Sequence, residues 1–404
     1  MNRRTRIIVH QLVARSRIVG VLLALLMLPV SYSLAEENVD LFFDSTVRLS
    51  DVDAKAWVLM EFESGQTIAS LNAEQAYPPA SITKLMTNYV VYEALASGDI
   101  KLEDQVSISE KAWRAEGSRM FAKVNSQVEL QHLLKSTVIQ SGNDAAIALA
   151  EHTAGSEIAF AQKMNQAAAR LSLKHSRFIN SSGLPDDEHV MSARDIALLS
   201  AAIIREYPDF YKWYSEKEYT HNNITQYNRN KLLWRDSTVD GLKTGHTEAA
   251  GYCLVGSAER EGKRWIAVVL GSTDERTREK AVLDLLDYAF VAFQPVKLLD
   301  QQGGLASATV YFGEVDDVLF QAERAVNVVV PNGREADVVT DLRLSPYYTA
   351  PIEVGDKMGV ATLSLDSKPI AEVPLVAMST IKEGGLWKQF TDGIRLRWRN
   401  LREN

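Results

Sequence analysis

The sequence contains almost no cysteine: Cys253 is the only one among 404 residues. An internal disulfide is therefore excluded, and the hydrophobic core alone must hold the fold. Cys253 lies in the apolar run Gly251-Tyr-Cys-Leu-Val, which predicts a small buried side chain rather than a nucleophile. With 46% hydrophobic and 24% charged residues, the chain has an ordinary globular composition and enough length for two domains.

The sequence patterns of metal, nucleotide and nucleic-acid sites are also missing. The seven histidines are scattered without the spacing of metal ligands, and no dinucleotide or P-loop glycine pattern occurs. We therefore expect no metal and no cofactor. The formal net charge of -8 argues against a nucleic-acid partner.

The first 35 residues have the features of an export signal. Five arginines precede an apolar run over 18–30, small residues alternate up to Ala35, and the first acidic residue is Glu36. Because the run is short for a membrane-spanning helix, we predict a signal peptide over 1–35. An uncleaved anchor is the alternative. Losing the five arginines takes the formal net charge from -8 to -13.

Residues 36–293 mix strand and helix patterns and predict an α+β domain. Trp57-Val-Leu-Met and Ile68 to Leu71 are predicted strands around a turn, as are Gly251 to Ala258 and Trp265 to Gly271. Strands at both ends of the segment indicate one sheet assembled from distant parts of the chain. Apolar residues at three- and four-residue spacing predict helices over 81–95, 130–140, 144–151, 157–171, 193–206 and 278–293.

The pattern changes at Gln294. Residues 294–382 contain short apolar alternations such as Val326-Asn-Val-Val-Val, interrupted by the turn residues Pro331-Asn-Gly and Asp366-Ser-Lys. Little of this segment has a helical period, so it predicts a second, all-β domain of ordinary size.

The last segment, 383–404, is predicted to form an amphipathic helix. Aromatic residues on its apolar face and basic residues beside that face are typical of a helix that lies in an anionic membrane surface. Docking on the protein itself is the alternative. The face contains Trp387, Phe390, Ile394, Trp398 and Leu401, with Lys388, Arg395, Arg399 and Arg402 on one flank and Arg397 on the other. Leu396 falls off this face.

Ser81-Ile-Thr-Lys84 begins a predicted helix. The two side chains are three residues apart and point to the same side of the first turn. A serine becomes a nucleophile beside a base, a lysine with a lowered pKa can be that base, and the free N–H groups of a helix start can stabilise an oxyanion. The pattern alone is weak, because an ordinary capped helix start has the same residues and Ser379-Thr-Ile-Lys382 matches it too.

Two further motifs complete a signature. Ser141-Gly-Asn143 follows a predicted helix end. The Ser141 hydroxyl and the Asn143 amide can face one cleft together, and the alternative is that they only cap the turn. Lys243-Thr-Gly-His246 precedes an extended run. In this motif the lysine supplies positive charge, the threonine supplies a donor for a carboxylate, and the glycine allows a ligand to approach the backbone closely. A plain strand start is the alternative. The three motifs in this order are specific for acyl transfer to serine.

With these motifs the chain resembles the low-molecular-weight penicillin-binding proteins, in particular the D-alanyl-D-alanine carboxypeptidases of Gram-negative bacteria. The resemblance extends from the signal peptide to the terminal helix. It implies a β-lactamase/transpeptidase-like domain over 36–293, an antiparallel sheet with helices on both sides, followed by the all-β domain and the anchor helix. The stretches that carry it are Pro79-Ala-Ser81-Ile-Thr-Lys84-Leu-Met-Thr, Ser141-Gly-Asn143-Asp-Ala, Asn228-Arg-Asn, Val239-Asp-Gly-Leu-Lys243-Thr-Gly-His246-Thr and Ala250-Gly-Tyr.

The resemblance also implies the reaction. The enzyme would remove the terminal D-alanine from peptidoglycan stem peptides at the periplasmic face of the inner membrane, and β-lactam antibiotics would inhibit it. Ser81 would be the acylated nucleophile and Lys84 its general base. Ser141 and Lys243 would pass protons.

For substrate binding, the resemblance implies that Asn143 orients the peptide, while Thr244 and Arg278 meet its terminal carboxylate beside Gly245. The backbone N–H groups of Ser81 and His246 would form the oxyanion hole. Three supporting positions follow in the same way, namely Ser118, in a loop that affects deacylation in the family, Asp195 and Arg229.

Three other functions remain open from the sequence. A β-lactamase with the same motifs would have no need of a second domain or a membrane helix, and no clear Glu-x-x-Leu-Asn deacylation motif is present. An endopeptidase that cuts peptide cross-links is the second, and a scaffold that binds wall peptides without turnover is the third. Release of D-alanine against turnover of β-lactam separates the carboxypeptidase from the β-lactamase, and an assay for free D-alanine tests the scaffold.

Overall fold

A computed structural model describes residues 40–41, 49, 52–299 and 303–403. The predicted signal peptide lies outside the described residues. All described residues belong to one compact unit that spans Asn38–Asn404.

The strands, in chain order, are β1 (Asp40–Leu41), β2 (Ala56–Glu61), β3 (Thr67–Leu71), β4 (Ala76–Tyr77), β5 (Gln105–Ser107), β6 (Gln127–Glu129), β7 (Met191–Ser192), β8 (Glu218–His221), β9 (Ile224–Tyr227), β10 (Val239–Thr247), β11 (Gly251–Arg260), β12 (Lys263–Ser272), β13 (Phe293–Leu299), β14 (Ala306–Tyr311), β15 (Asp317–Ala322), β16 (Val326–Pro331), β17 (Val339–Leu344), β18 (Tyr348–Thr349), β19 (Lys357–Leu365) and β20 (Lys368–Ala377). The α-helices are α1 (Lys84–Ser97), α2 (Glu110–Trp113), α3 (Leu130–Ile139), α4 (Asn143–Ala154), α5 (Glu157–Arg170), α6 (Ala193–Glu206), α7 (Pro208–Tyr211), α8 (Leu232–Arg235), α9 (Glu275–Ala292) and α10 (Leu386–Glu403). Short 3-10 turns cover Ala80–Thr83, Lys212–Ser215 and Glu335–Asp337.

The first domain is built on one six-stranded antiparallel sheet, in the order β1-β3-β2-β12-β11-β10. The predicted strand pairs are confirmed as β2–β3 and β11–β12. The sequence missed β10: Lys243 and its neighbours lie within this strand, not ahead of it. Because β10 is at the edge of the sheet, one side of its backbone remains available to a ligand.

Side chains of alternate direction on each central strand fill two apolar layers, as strand geometry requires. Val58 and Met60 of β2 pack into the larger layer with the helices α1 and α3 to α6, whereas Trp57 and Leu59 face α9. Helices therefore cover both faces, which confirms the predicted α+β fold. Cys253 is fully buried in the larger layer, and burial raises the pKa of its thiol to about 11, so it is no nucleophile.

Most predicted helices of this domain agree with the structure within a few residues, and α6 matches fully. Two differ at their starts. The helix predicted from 81 begins as the 3-10 turn Ala80–Thr83 and becomes α-helical only at Lys84. The helix predicted from 278 begins at Glu275, because the Asp274 carboxylate accepts the N–H groups of Arg276 and Thr277.

The second domain is all-β, as predicted. One sheet has the order β17-β19-β20-β15-β14-β18, and β13 pairs with β16 beside it. The backbone N–H of Asn332 donates to the carbonyl of Ala292, and the Val329 N–H donates to the Gln66 side chain. The second domain is thus bonded directly to the end of α9 and to the turn between β2 and β3.

The terminal helix α10 docks on the second domain through its polar side. Asp392 is buried, and its carboxylate accepts the N–H of Phe312 at 2.9 Å. The five predicted face residues, Trp387, Phe390, Ile394, Trp398 and Leu401, are all exposed. Within the described residues, no helix combines the length and apolar character needed to cross a membrane.

Candidate active site

Ser81 and Lys84 lie where the 3-10 turn meets α1. The Lys84 ammonium nitrogen, Nζ, lies 2.9 Å from Ser81 Oγ, 2.7 Å from Asn143 Oδ1 and 2.6 Å from the carbonyl oxygen of Ser182. The last two are carbonyl oxygens that can only accept, so each takes an N–H of the lysine. The third position on the nitrogen therefore points at the serine hydroxyl.

Burial lowers the pKa of Lys84 to about 7, although the nearby Asp144 carboxylate acts in the opposite direction. A fully buried ammonium loses its hydration, and this favours the neutral amine. A neutral Lys84 keeps N–H donors for Asn143 and Ser182 and presents its lone pair to the Ser81 hydroxyl. This arrangement can remove a proton from a serine at neutral pH.

The Ser141-Gly-Asn143 turn lies directly against this pair. Ser141 has a positive φ of 71°, and its buried Oγ has no hydrogen-bond partner within the described residues. A Cβ at Gly142 would lie 2.3 Å from Ser136 Oγ, so only glycine fits there. The turn therefore holds a free hydroxyl and the Asn143 amide on the cleft side.

β10 forms another wall with Lys243, Thr244 and Gly245. Lys243 is buried, and burial together with the positive charges of Lys84, Arg229 and Arg278 holds its pKa well below the usual range. Gly245, which lines the cleft, also has a packing role. A Cβ there would lie 2.8 Å from the Pro79 carbonyl oxygen, so the glycine lets β10 pack against the turn that carries Ser81.

Arg278, on the first turns of α9, reaches the same cleft. Its Nη2 pairs with Glu275 Oε1 at 2.9 Å, and its Nη1 lies 3.4 Å from the Gly245 carbonyl. Its buried Nε has no hydrogen-bond partner within the described residues. The guanidinium can therefore bind a carboxylate. The exposed ring of His246 lies 4.1 Å from that of Tyr252, measured between centroids.

These groups surround one cleft of about 460 Å³. The structure thus brings together the predicted residues from all three motifs and from α9, with Lys84 and Lys243 buried beside the cleft. The predicted residues that line it are Ser81, Ser118, Ser141, Asn143, Arg229, Thr244, Gly245, His246 and Arg278.

Of the three supporting positions, two lie at the cleft and one lies away from it. Ser118 Oγ donates to the Gln140 carbonyl at 2.6 Å, and Arg229 donates to Ser118 Oγ at 3.1 Å, so both brace the loop that forms one rim. Asp195 lines no part of the cleft. Its carboxylate accepts the His175 N–H and the Ser176 hydroxyl, both at 2.7 Å; it supports the start of α6.

The segment 180–184 forms one wall of the cleft, and this was not predicted from the sequence. The Asn180 side chain accepts the N–H groups of Ser182 and Gly183, and this directs the Ser182 carbonyl at Lys84. A Cβ at Gly183 would lie 1.8 Å from the Ala80 carbonyl oxygen, so the segment packs directly on the nucleophile's turn. Turn-forming residues marked this stretch as a loop, but no spacing tied it to the cleft. The other lining residues, for which the sequence indicates no individual role, are Glu116, Gly117, Thr247, Tyr252 and Glu275.

Comparisons with known proteins match both domains. A family model described as D-alanyl-D-alanine carboxypeptidase matches residues 44–274, and one described as the C-terminal domain of penicillin-binding protein 5 matches 293–383. The D-alanyl-D-alanine carboxypeptidase DacC of Escherichia coli (strain K12) is 39% identical over 363 residues, which are 88% of this chain and 91% of DacC.

Solved structures agree with these matches. Penicillin-binding protein 5 from Haemophilus influenzae superposes with a TM-score of 0.81 at 38% identity, over 84% of this chain and 100% of that one. Penicillin-binding protein D2 from Listeria monocytogenes, in its ampicillin-bound form, gives a TM-score of 0.55 at 30% identity, over 59% of this chain and 98% of that one.

Proposed function

The chain belongs to the D-alanyl-D-alanine carboxypeptidase family and is a serine-type carboxypeptidase, and we propose that Ser81 is the residue it acylates, with Lys84 as the base. The observation that carries the proposal is the meeting of three sequence-distant motifs in one cleft. The lysine nitrogen stands 2.9 Å from the serine oxygen there.

In the proposed reaction the D-Ala-D-Ala end binds with its carboxylate against Arg278 and Thr244, both at the cleft. Neutral Lys84 takes the Ser81 proton as Oγ bonds to the carbonyl carbon, and the backbone N–H groups of Ser81 and His246 stabilise the oxyanion. The C–N bond then breaks, and the terminal D-alanine leaves with a proton delivered through the lysine amines and the Ser141 hydroxyl. Water then attacks the ester carbonyl carbon while Lys84 takes a proton from it, and Ser81 Oγ receives a proton from Lys84 as the C–Oγ bond breaks.

A β-lactam presents a strained amide beside a carboxylate, like the peptide end. The family membership and the ampicillin-bound relative support β-lactam binding in the same cleft. We propose that ring opening leaves the acyl group on Ser81. Because no separate leaving group departs from a fused ring, the ester is expected to outlive the peptidyl ester.

The pH dependence of the reaction follows from Lys84. Since the neutral amine is the active form and its pKa is about 7, kcat/KM for D-alanine release should rise roughly tenfold per pH unit below that value and level off above it. The measurement is D-alanine release from pH 5 to 9, with circular dichroism to show that the protein stays folded. A flat profile across pH 5 to 8 would contradict Lys84 as the base.

The function is tested with a short peptide ending in D-Ala-D-Ala. We expect release of free D-alanine in many turnovers per enzyme, with β-lactam turned over far more slowly. Fast β-lactam hydrolysis without D-alanine release would indicate a lactamase. Binding of the peptide without release would indicate a scaffold.

We further propose that the mature protein is exported and held at the periplasmic face of the inner membrane by α10. The docking of α10 supports this, because its polar side meets the second domain while Trp387 and Trp398 remain 78% and 64% exposed. An apolar face of this size on the surface favours a membrane partner.

The docking also changes the expected role of two basic residues. Lys388 pairs with Asp392 and Asp316, and Arg399 lies 5.4 Å from the Tyr347 ring, so the protein holds these side chains rather than leaving them for lipid headgroups. Leu396, off the apolar face in sequence, is half-buried. The side chain of Arg402 lies outside those that the structure describes.

Replacing Trp387, Phe390 and Trp398 together by serine should weaken binding to vesicles of phosphatidylglycerol and phosphatidylethanolamine at least about tenfold, because three large apolar side chains leave the interface. Co-sedimentation measures the change. The matched control replaces Trp113, Phe121 and Trp234, also exposed but outside α10, and should bind as wild type. Equal loss in both variants would contradict α10 as the anchor.

A further inference from the structure

Charged side chains line both sides of the cleft. On the side of β10 and α9, Arg278 is paired with Glu275. On the other side the exposed side chain of Glu116 lines the cleft. Within the described part of the chain Glu116 makes no ion pair, and the nearby Arg229 donates to Ser118 Oγ instead. Glu116 therefore places a carboxylate in the site that has no ion-pair partner among the described residues.

The position of Glu116 relative to the nucleophile is fixed through Asn143. The Glu116 carbonyl accepts Asn143 Nδ2 at 2.6 Å, and Asn143 Oδ1 accepts Lys84 Nζ at 2.7 Å. Gly117 permits this approach, since its φ is +76° and a Cβ there would lie 3.1 Å from Asn143 Nδ2. The backbone of Glu116 is thus held against the side-chain amide of Asn143, the group proposed to orient the substrate.

The direction of the peptide determines which of its residues meets Glu116. The terminal carboxylate and the leaving D-alanine occupy the side of Arg278 and Thr244. The part that stays on Ser81, and the residue before it, must then extend toward Asn143. A cation on that residue's side chain would meet the Glu116 carboxylate.

We propose that Glu116 recognises a free side-chain amine on the residue that precedes D-Ala-D-Ala. The inference rests on the proposed roles of Ser81, Asn143 and Arg278. An amine that has been acylated, as in a cross-linked peptide, carries no charge and loses the interaction. The enzyme would therefore favour wall peptides that are not yet cross-linked.

Two peptides that differ by one acetyl group test the proposal, Nα-acetyl-L-Lys-D-Ala-D-Ala and its Nα,Nε-diacetyl form. The wild type should prefer the free amine by up to about fivefold in kcat/KM, the range of a partly exposed ion pair. The preference should shrink at 1 M NaCl, where such charges are screened. Glu116→Gln should bring the ratio close to one, and Glu116→Lys should invert it.

Glu110→Gln is the matched control, because it removes the same charge from a carboxylate that pairs with Arg114 and lies outside the cleft. It should keep the wild-type ratio. A wild-type ratio of one, or a preference that Glu116→Gln leaves unchanged, overturns the proposal while D-alanine release still upholds the enzyme's function. Absence of D-alanine release from both peptides would instead count against the function itself.

Discussion

Replacing Ser81 by alanine is expected to lower kcat/KM for D-alanine release by at least about 10⁴-fold, because no acyl-enzyme can form. The protein should stay folded. Ser81 is only partly buried, and its Oγ is an acceptor for Lys84, which keeps its contacts with Asn143 and Ser182. The measurement is a D-alanine assay beside a thermal melt.

The chain offers its own control for this variant. Ser379-Thr-Ile-Lys382 has the same spacing as the proposed catalytic motif, but Ser379 and Lys382 are exposed and lie outside the cleft. Ser379→Ala should therefore keep full activity. If Ser81→Ala retained more than a hundredth of wild-type kcat/KM, or if both variants lost activity alike, Ser81 would not be the nucleophile.

Replacing Lys84 by arginine is expected to lower kcat by about 10²–10⁴-fold, the contribution of a positioned general base. Arginine is permanently charged and is not deprotonated in a protein, so it offers no lone pair to Ser81. Any residual activity should no longer rise with pH around 7. Rates at several pH values, with a thermal melt for each variant, measure both effects.

Two further variants separate catalysis from structure. Lys84→Met removes charge and base together and should lose as much activity as the arginine variant. Lys382→Arg, in the exposed copy of the motif, should behave as wild type. Retention of activity within tenfold by Lys84→Arg, with a wild-type pH profile, would require another base.

The fold was largely predictable because periodic burial fixes most elements. The apolar run of β2, which is buried along its whole length, and the helical spacing in α6 follow directly from side chains that face a core. The missed strand β10 shows the limit of this reasoning. Six of its nine residues are buried, and these include the polar side chains of Lys243 and Thr244. A strand that places polar side chains beside a cleft lacks the apolar sequence pattern of a strand that only packs against a core.

The catalytic motifs of the site could be predicted from the sequence, but the backbone segments that line the cleft could not. Ser81, Ser141 and Lys243 belong to patterns with fixed spacing, and a resemblance could join them. The Ser182 carbonyl that accepts a hydrogen bond from Lys84 belongs to the backbone, where residue type carries no signal. Gly183 is required because the Ala80 carbonyl is so close, a tertiary contact that no local pattern encodes.

The terminal helix docks on the protein without burying its predicted apolar face. The sequence left membrane binding and docking on the protein as alternatives. In the structure, α10 docks through Asp392, which is 1% exposed, while Leu386 and Leu401 are 91% and 77% exposed. One helix thus contacts the protein on one side and leaves its apolar side uncovered by the described residues.

The most direct test of acylation at Ser81 is the mass of the intact protein after incubation with benzylpenicillin, followed by peptide mapping. We expect a gain of one penicilloyl group, located on the peptide that contains Ser81, and no gain in Ser81→Ala. An unmodified wild-type protein, or a label on any other residue, would contradict the proposed chemistry.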